Sequence, residues 1–248
     1  MKYAFAKAIY RRLPESLRRK LYDPRQFPMR RRLKKRLLAY YANTRDPEIL
    51  AALAFIRQYK LTTFNYEFIF DYENRDVEVF RDEACGLLYV VEAGKRLYFK
   101  RGIADRAQAA DYYNAMCKEQ DPRSPHCYTS PIHGVQGGAV LDLGAAEGLF
   151  SLRMVDQAEA LYLFECDPGW IEALEQTFKP YAGKVQLVPK YVSDRDNDRE
   201  ISLDAFSKSV SGKISFVKMD IEGAEIRTLD GARELMRNHP ECKWSVCV

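Results

Sequence analysis

The chain has 248 residues, of which 47% are hydrophobic and 12% aromatic, so it can bury a core and is not wholly disordered. Its formal net charge is +4, but the charge is uneven, because fourteen Lys or Arg residues and only two acids precede residue 41. The six cysteines form no CxxC pair and no cluster with zinc-ligand spacing. This scatter excludes the usual zinc motifs and favours reduced thiols over a disulfide framework.

The start of the chain lacks the apolar run of a signal peptide, because Lys2 and Lys7 interrupt it. No apolar run reaches the ~18 residues that are needed to span a bilayer. We therefore predict a cytoplasmic protein, with a peripheral membrane location left open by its basic arm.

Residues 1–75 are predicted to form a basic, mainly helical region. The clearest helix start is Asp46-Pro47-Glu48, which joins an N-cap residue, a first-turn proline and an early acid. The run from Arg30 to Arg36 holds six cations. Such a run is more often a solvated helix face, but it is also compatible with a phosphate-bearing glycan carrier or an anionic membrane surface. Nucleic acid is the less favoured partner.

Residues 76–130 are predicted to form a small β-hairpin followed by a lead-in helix. Val77 and Val79 begin a strand pattern that continues through 87–91 and, after a turn at 92–95, through 96–100. A helix is predicted over 104–119, and the two prolines within 121–126 end it.

Strands and helices alternate over residues 131–248, which predicts a parallel α/β sheet of the Rossmann-like class. The predicted strands are 139–143, 160–165, 184–188, 214–219 and 243–248, and the predicted helices are 147–157, 168–178 and 223–238. The fold class is therefore α/β, with the mainly helical extension and the hairpin ahead of the sheet.

The first strand of this sheet runs into a turn of small residues, 142–148, with the sequence DLGAAEG. Such a turn lets the backbone and the following helix N-terminus approach a ligand. The dinucleotide pattern G-x-G-x-x-G fails here at two of its three glycines. The methyltransferase pattern acid-x-G-x-G-x-G is met by Asp142, Gly144 and Gly148 and fails only at Ala146. The spacing therefore favours S-adenosylmethionine (SAM) over a nicotinamide cofactor.

Two acids are placed at later strand ends. Glu165 follows Gly144 by 165 − 144 = 21 residues, a position from which a carboxylate accepts hydrogen bonds from adenosine ribose hydroxyls. Asp220 ends the fourth strand, which should neighbour the first strand at the topological switch point. Glu222 and Glu225 open the following helix, where acids also act as caps. Glu165 indicates an adenosine cofactor, and Asp220 should face the same crevice.

Four blocks of the chain resemble the FkbM family of methyltransferases. They are LDLGAAEG at 141–148, FECD at 164–167, ISLD at 201–204, and KMDIEGAE at 218–225 with LDGA at 229–232 behind it. The resemblance covers about Ala139 to Val248 and leaves the first ~130 residues outside. It implies SAM-dependent O-methylation of sugars, glycans or polyketide-type natural products.

Further candidates come from the expected position of loops around the cofactor. His126 and Tyr128 lie just before the first core strand, where a lead-in often closes over the methionine end of SAM. Ser193 and Asp194 end the third-strand region, near the expected adenine. The predicted cofactor contacts are Asp142, Gly144, Ala145, Gly148, Glu165, Cys166, Ser193, Asp194 and Tyr128, and the candidate bases are Asp220, Glu222 and His126.

The sequence predicts a methyltransferase acting on a small-molecule or glycan acceptor. A SAM-binding protein without efficient catalysis and a nicotinamide-dependent oxidoreductase are the alternatives. Asp220 and Glu222 offer carboxylates to a divalent cation, but no clear ligand set accompanies them and no metal site is predicted. The last predicted strand is the fifth of the usual seven, so an open sheet edge, weak turnover and a homodimer are also expected.

Overall fold

The computed structural model of the protein describes residues 13–21, 27–73, 75–129, 135 and 137–247. The chain divides into two compact units, Met1–Asn74 and Arg75–Val248. The sequence-based division into three regions remains a prediction. The part of the basic arm before residue 13 lies outside the described residues.

The first unit is helical, as predicted. Its elements are α1 (Glu15–Arg18), α2 (Phe27–Tyr40), α3 (Pro47–Gln58) and a 3₁₀ helix (Glu67–Tyr72). The predicted start of α3 is confirmed, because the Asp46 carboxylate accepts hydrogen bonds from the Glu48 and Ile49 amides at 2.9 and 3.1 Å. The core of the first unit is built from Leu53, Phe55, Ile56, Leu61, Phe64, Phe68 and Ile69.

The second unit begins with a three-stranded antiparallel sheet in the order β1-β2-β3. The strands are β1 (Phe80–Arg81), β2 (Leu88–Glu92) and β3 (Lys95–Tyr98). Ala93 and Gly94 form the turn with φ values of 48° and 81°, as in the tight turns that match strand twist. The strand predicted at Val77 and Val79 is wrong, because Val79 is buried by packing and backbone pairing begins only at Phe80.

The elements that follow alternate between helices and strands. The helices are α4 (Arg106–Glu119), α5 (Leu149–Met154), α6 (Pro168–Phe178), α7 (Leu203–Ser207), α8 (Glu225–Asp230) and α9 (Arg233–Asn238). The strands are β4 (Ala139–Leu143), β5 (Ala160–Phe164), β6 (Val185–Val188), β7 (Tyr191–Val192), β8 (Glu200–Ile201), β9 (Ile214–Met219) and β10 (Lys243–Val246). Strands β7 and β8 pair with each other in a separate two-stranded sheet.

The main sheet has the order β10-β9-β4-β5-β6, and its neighbouring strands all run parallel. In chain order within this sheet the arrangement is 5-4-1-2-3, so the Rossmann-like class is confirmed. Strand β4 is wholly buried between β5 and β9. Its last residue, Leu143, is in register with Phe164 and Met219. The loops that follow these three strands therefore leave the sheet at one edge.

One helix predicted over 223–238 is two helices, α8 and α9, which are separated at Gly231. A Cβ atom on Gly231 would lie 2.3 Å from the Ser193 carbonyl oxygen. The Gly231 carbonyl also accepts a hydrogen bond from the Asp204 amide at 2.8 Å. The helix is interrupted because the chain packs directly against the loop after β7, a contact that no local sequence pattern records.

Candidate active site

Close packing of neighbouring elements requires the two glycines of the turn after β4. Gly144 has a φ of 76°, and a Cβ atom there would lie 2.1 Å from the Asp220 carbonyl oxygen. Gly148 has a φ of 82°, and its Cβ would lie 2.7 Å from Leu174 and 2.9 Å from Phe178 in α6. The two glycines therefore let β9 and α6 approach the turn closely, a requirement that is separate from ligand access.

Ala146 stands where the methyltransferase pattern has its middle glycine, and it keeps the left-handed backbone conformation that glycine favours. Its φ is 47°, in the left-handed region that disfavours a Cβ atom. Its amide donates a hydrogen bond to Glu165 Oε2 at 2.8 Å. The other carboxylate oxygen, Oε1, accepts from the amides of Cys166 and Asp167, both at 2.7 Å. Three N–H groups thus fix the Glu165 carboxylate between the loops after β4 and β5.

A cavity of about 700 Å³ lies at this edge of the sheet. Seven of the predicted site residues line it: Tyr128, Gly144, Ala145, Glu165, Cys166, Asp220 and Glu222. The structure thus brings the loops after β4, β5 and β9 together with the segment ahead of β4.

The structure does not place Asp142 in this lining. Asp142 is fully buried beneath the turn, where one oxygen lies 3.1 Å from Lys218 Nζ and the other accepts from Ser151 Oγ at 2.7 Å. Lys218 Nζ also donates to the Gly144 carbonyl. This buried pair ties β4 to β9 under the turn. Gly148 likewise lies outside the lining and contacts α6 instead.

Three further candidates lie outside the lining. Ser193 is buried, and its hydroxyl accepts a hydrogen bond from the Arg195 amide at 3.0 Å. Asp194 is exposed and accepts from Arg227 at 2.8 Å. His126 has a side chain that is 46% exposed and whose Nδ1 lies 3.9 Å from Glu119. Asp194 thus makes an ordinary surface contact, Ser193 caps a local turn, and none of the three residues lines the cavity.

Tyr128 and Asp220, 92 residues apart, meet inside the cavity. Tyr128 Oη donates to Asp220 Oδ2 at 2.6 Å. Burial raises the pKa of Tyr128, and the Asp220 carboxylate raises it further. The phenol therefore stays protonated and acts as a donor. Its ring also contacts Phe150, with the ring centres 5.8 Å apart.

Sequence reasoning missed several lining residues, among them Tyr112, Glu119, Glu147, Trp170, Lys190 and Lys218. Tyr112 Oη donates to Glu147 Oε2 at 3.1 Å, and its ring lies 5.7 Å from that of Trp170. Burial raises the pKa of both Glu119 and Glu147. Glu147 stands in the turn motif and Lys218 opens the KMDIEGAE block, and these places in the motifs were the available signals. The position of Glu119 at the end of α4 depends on how that helix packs.

The lining is rich in carboxylates. It contains Glu119, Glu147, Glu165, Asp167, Asp220 and Glu222, against Lys190 and Lys218. Both ammonium groups already have protein partners, since Lys190 donates to the Asn197 carbonyl at 2.8 Å and Lys218 to the Gly144 carbonyl. The cavity therefore suits a cationic ligand better than a phosphate-bearing one.

Glu222 is held in a strained backbone conformation at the cavity. Its φ is 56° and that of Gly223 is 98°. Glu225 Oε1 accepts hydrogen bonds from the Ile221 and Gly223 amides, both at 3.2 Å. Glu225 is therefore a cap of this loop, while the loop directs Glu222 towards the lining.

Cys166 contributes a thiol to the cavity lining. Burial raises the pKa of Cys166 to about 11, with Glu165 adding to the shift, so the thiol stays protonated at neutral pH.

Among the described residues, no group of three or more His, Cys, Asp or Glu side chains is arranged to hold a metal ion.

The family model described as "Methyltransferase FkbM domain" matches residues 182–245. The resemblance to the FkbM family is confirmed. The match covers about a quarter of the chain, from just ahead of β6 into β10, and includes the KMDIEGAE block with Asp220 and Glu222. The blocks at 141–148 and 164–167 lie ahead of it. The FkbM match supports a methyltransferase and, with it, a methyl donor as cofactor.

Among solved structures, the chain is similar to precorrin 8W decarboxylase from Methanobacterium thermoautotrophicum, with 13% identity, a TM-score of 0.36, and 50% of this chain and 63% of that chain covered. It is also similar to Trm5b from Pyrococcus abyssi, with 18% identity, a TM-score of 0.34, and 60% of this chain and 37% of that chain covered. The chain thus spans less than two thirds of either protein. No curated protein sequence matches the chain.

No helix within the described residues is long and apolar enough to cross a membrane.

Proposed function

We propose that the protein is a SAM-dependent methyltransferase that methylates a hydroxyl group of a sugar, glycan or related metabolite. The observation that carries the proposal is the carboxylate-lined cavity at the ends of β4, β5 and β9. One of its acids, Asp220, lies in the FkbM match. A second, Glu165, is held between the loops after β4 and β5.

The chemistry of the lining fits SAM. This cofactor carries a sulfonium, an ammonium and a carboxylate group, so cations outnumber anions, and neighbouring carboxylates stabilise the two cations. A nicotinamide dinucleotide would instead bring a pyrophosphate to a lining whose two lysines already have partners. The charge of the cavity therefore supports the methyl donor over the nicotinamide alternative.

Glu165 is the residue we expect to hold the ribose. Its Oε1 accepts two N–H groups and its Oε2 accepts one, so Oε2 has remaining capacity for a hydroxyl donor. Because the carboxylate is already fixed by backbone, little conformational entropy is lost when the cofactor binds.

Asp220 is the residue we expect to accept the proton of the attacking hydroxyl. When bound, SAM would supply an electrophilic methyl group whose leaving group is the neutral thioether of S-adenosylhomocysteine, so the protein has mainly to align the acceptor and accept its proton. Tyr128 holds one oxygen of Asp220 at 2.6 Å and so fixes the carboxylate at the cavity. Carboxylates and tyrosine hydroxyls along the lining also suit an acceptor rich in hydroxyl groups.

The cofactor assignment is tested by calorimetry with SAM, S-adenosylhomocysteine and NAD on the wild type and on Glu165→Gln. We expect SAM and S-adenosylhomocysteine to bind, NAD not to bind, and the variant to lose roughly 2–3 kcal/mol of binding free energy, the value of hydrogen bonds to a charged group.

The matched control is Glu172→Gln, which removes a carboxylate that pairs with Arg101 on the surface of α6. It should leave the dissociation constant unchanged. Equal SAM affinity in Glu165→Gln and wild type would refute the ribose assignment. Tight binding of NAD instead of SAM would refute the proposed reaction. Turnover of SAM against nucleotide-sugars and glycans, followed by mass spectrometry of the products, identifies the acceptor.

A further inference from the structure

Helix α2 has an unusual composition for a helix in a small folded unit. Its sequence, FPMRRRLKKRLLAY, contains six cations and no acid. No carboxylate one turn away therefore balances any of these charges, as it would in a typical solvated helix.

The helix uses one side to pack within its own unit. Arg30 donates to the Leu61 carbonyl at 3.1 Å, and Lys34 donates to the Tyr59 carbonyl at 2.8 Å. Leu37 and Leu38 pack against the apolar core of this unit. These four positions recur at helical spacing, so they define the attached side of α2.

The opposite side carries three cations that the packing does not use. Arg32, Lys35 and Arg36 are exposed. Within the part of the chain that the structure describes, none of the three contacts a carboxylate. Arg32 and Arg36 are one turn apart, with Lys35 between them, so the charges form one continuous patch.

Large apolar side chains share this exposed side. Met29 is 67% exposed, Leu33 is 44% exposed and Tyr40 is 81% exposed. Together with Arg36 they follow the spacing i, i+4, i+7, i+11, which places them along one stripe of the helix. The stripe runs beside the cationic patch.

We propose that this side of α2 binds an anionic lipid surface. The cations would meet the lipid headgroups, while Met29, Leu33 and Tyr40 would enter the boundary between headgroups and acyl chains. A nucleic acid would be attracted by the same charges, but it offers no apolar phase for the methionine and leucine side chains. The exposed apolar stripe is therefore what favours a membrane.

The full-length protein can be tested by sedimentation with vesicles of phosphatidylcholine alone and with added phosphatidylserine. We expect binding only to the vesicles with phosphatidylserine, and weaker binding as salt rises. The triple variant Arg32→Glu, Lys35→Glu, Arg36→Glu should bind at least about a hundredfold more weakly, since each cation near an anionic surface contributes separately. The control variant Lys179→Glu, Arg199→Glu, Arg237→Glu changes the net charge equally at exposed positions of the second unit. It should bind like the wild type.

A second variant, Met29→Ser with Leu33→Ser, separates a membrane from a soluble polyanion. We expect it to weaken vesicle binding roughly tenfold or more, because two exposed apolar side chains that would enter the membrane are lost. Unchanged vesicle binding in this variant would overturn the proposal in favour of purely electrostatic attraction, for example to nucleic acid. Equal binding to both kinds of vesicle, or an equal defect in the control variant, would also overturn it. Circular dichroism of each variant checks that the fold is retained.

Discussion

Asp220 and Tyr128 form the contact on which the proposed chemistry depends at the scale of single residues. Asp220→Asn keeps the size of the side chain but removes the negative charge that accepts a proton. We expect kcat to fall by about 10²–10⁴-fold, the usual contribution of general base catalysis. The dissociation constant of SAM should stay within several-fold of wild type.

The comparison with Tyr128→Phe makes this prediction specific. That variant removes the donor at 2.6 Å but leaves the carboxylate, so its loss of kcat should be smaller. If Asp220→Asn weakened SAM binding as much as it slowed turnover, Asp220 would be a cofactor ligand rather than a base. Steady-state kinetics with calorimetry on both variants distinguishes the two roles.

Glu147 provides a prediction about pH. Burial raises its pKa in the folded protein above the value in the unfolded chain. A raised carboxyl pKa means that the folded state is favoured at low pH and loses stability as the pH rises through the folded-state pKa. We therefore expect Glu147→Gln to melt at a higher temperature than wild type at pH 8, because glutamine has no ionised form for burial to disfavour.

The gain should shrink as the pH falls towards the unfolded-state pKa of about 4.3, where both proteins carry a neutral side chain. The exposed Glu175→Gln variant serves as the control and should show no such pH-dependent gain. A melting-temperature difference for Glu147→Gln that is constant from pH 4 to pH 8 would contradict the assignment.

At the scale of elements, Glu92 connects strand β2 to two helices. It accepts a hydrogen bond from Tyr113 of α4 and another, at 2.7 Å, from Arg153 of α5. The side chains of Arg153 and Glu92 are only 23% and 14% exposed. Glu92→Gln offers one oxygen in place of two and leaves the guanidinium poorly compensated. It should lower the free energy of unfolding by about 1–3 kcal/mol.

A surface pair provides the comparison for this prediction. Arg101 and Glu172 also join the hairpin region to a helix, but their side chains are 58% and 38% exposed. Glu172→Gln should therefore change the free energy of unfolding by no more than about 1 kcal/mol. Urea denaturation measures both variants, and equal effects would show that burial is not what makes Glu92 important.

At the scale of the whole molecule, the described cavity belongs to one unit. Its lining runs from Tyr112 to Ala224, all within the unit Arg75–Val248. We expect a fragment that starts at Arg75 to bind SAM within several-fold of the full chain, as measured by calorimetry. The same fragment should fail to sediment with phosphatidylserine vesicles, because it lacks α2. A fragment that folds by circular dichroism but does not bind SAM would show that the first unit completes the site.

Local sequence patterns were sufficient for the main elements. Strands β4 and β9 and helix α6 have the bounds predicted from the sequence. The start and end of each of these elements depend on the pattern of residues within and directly beside it. The N-cap at Asp46 and the turn after Leu143 are likewise local signals. The parallel sheet followed from the alternation of strands and helices, and the pairing of its fourth strand with its first followed from the rule for doubly wound sheets.

The arrangement of side chains around the cavity was decided only by tertiary structure. Asp142 matches the motif, yet it is buried against Lys218, 76 residues later. Glu119 belongs to a helix that precedes the sheet, yet it lines the same cavity as Asp220. The break at Gly231 exists because a distant carbonyl leaves no room for a Cβ atom. A sequence pattern reports the direction of a side chain relative to its own helix or strand, whereas these contacts depend on how separate elements pack.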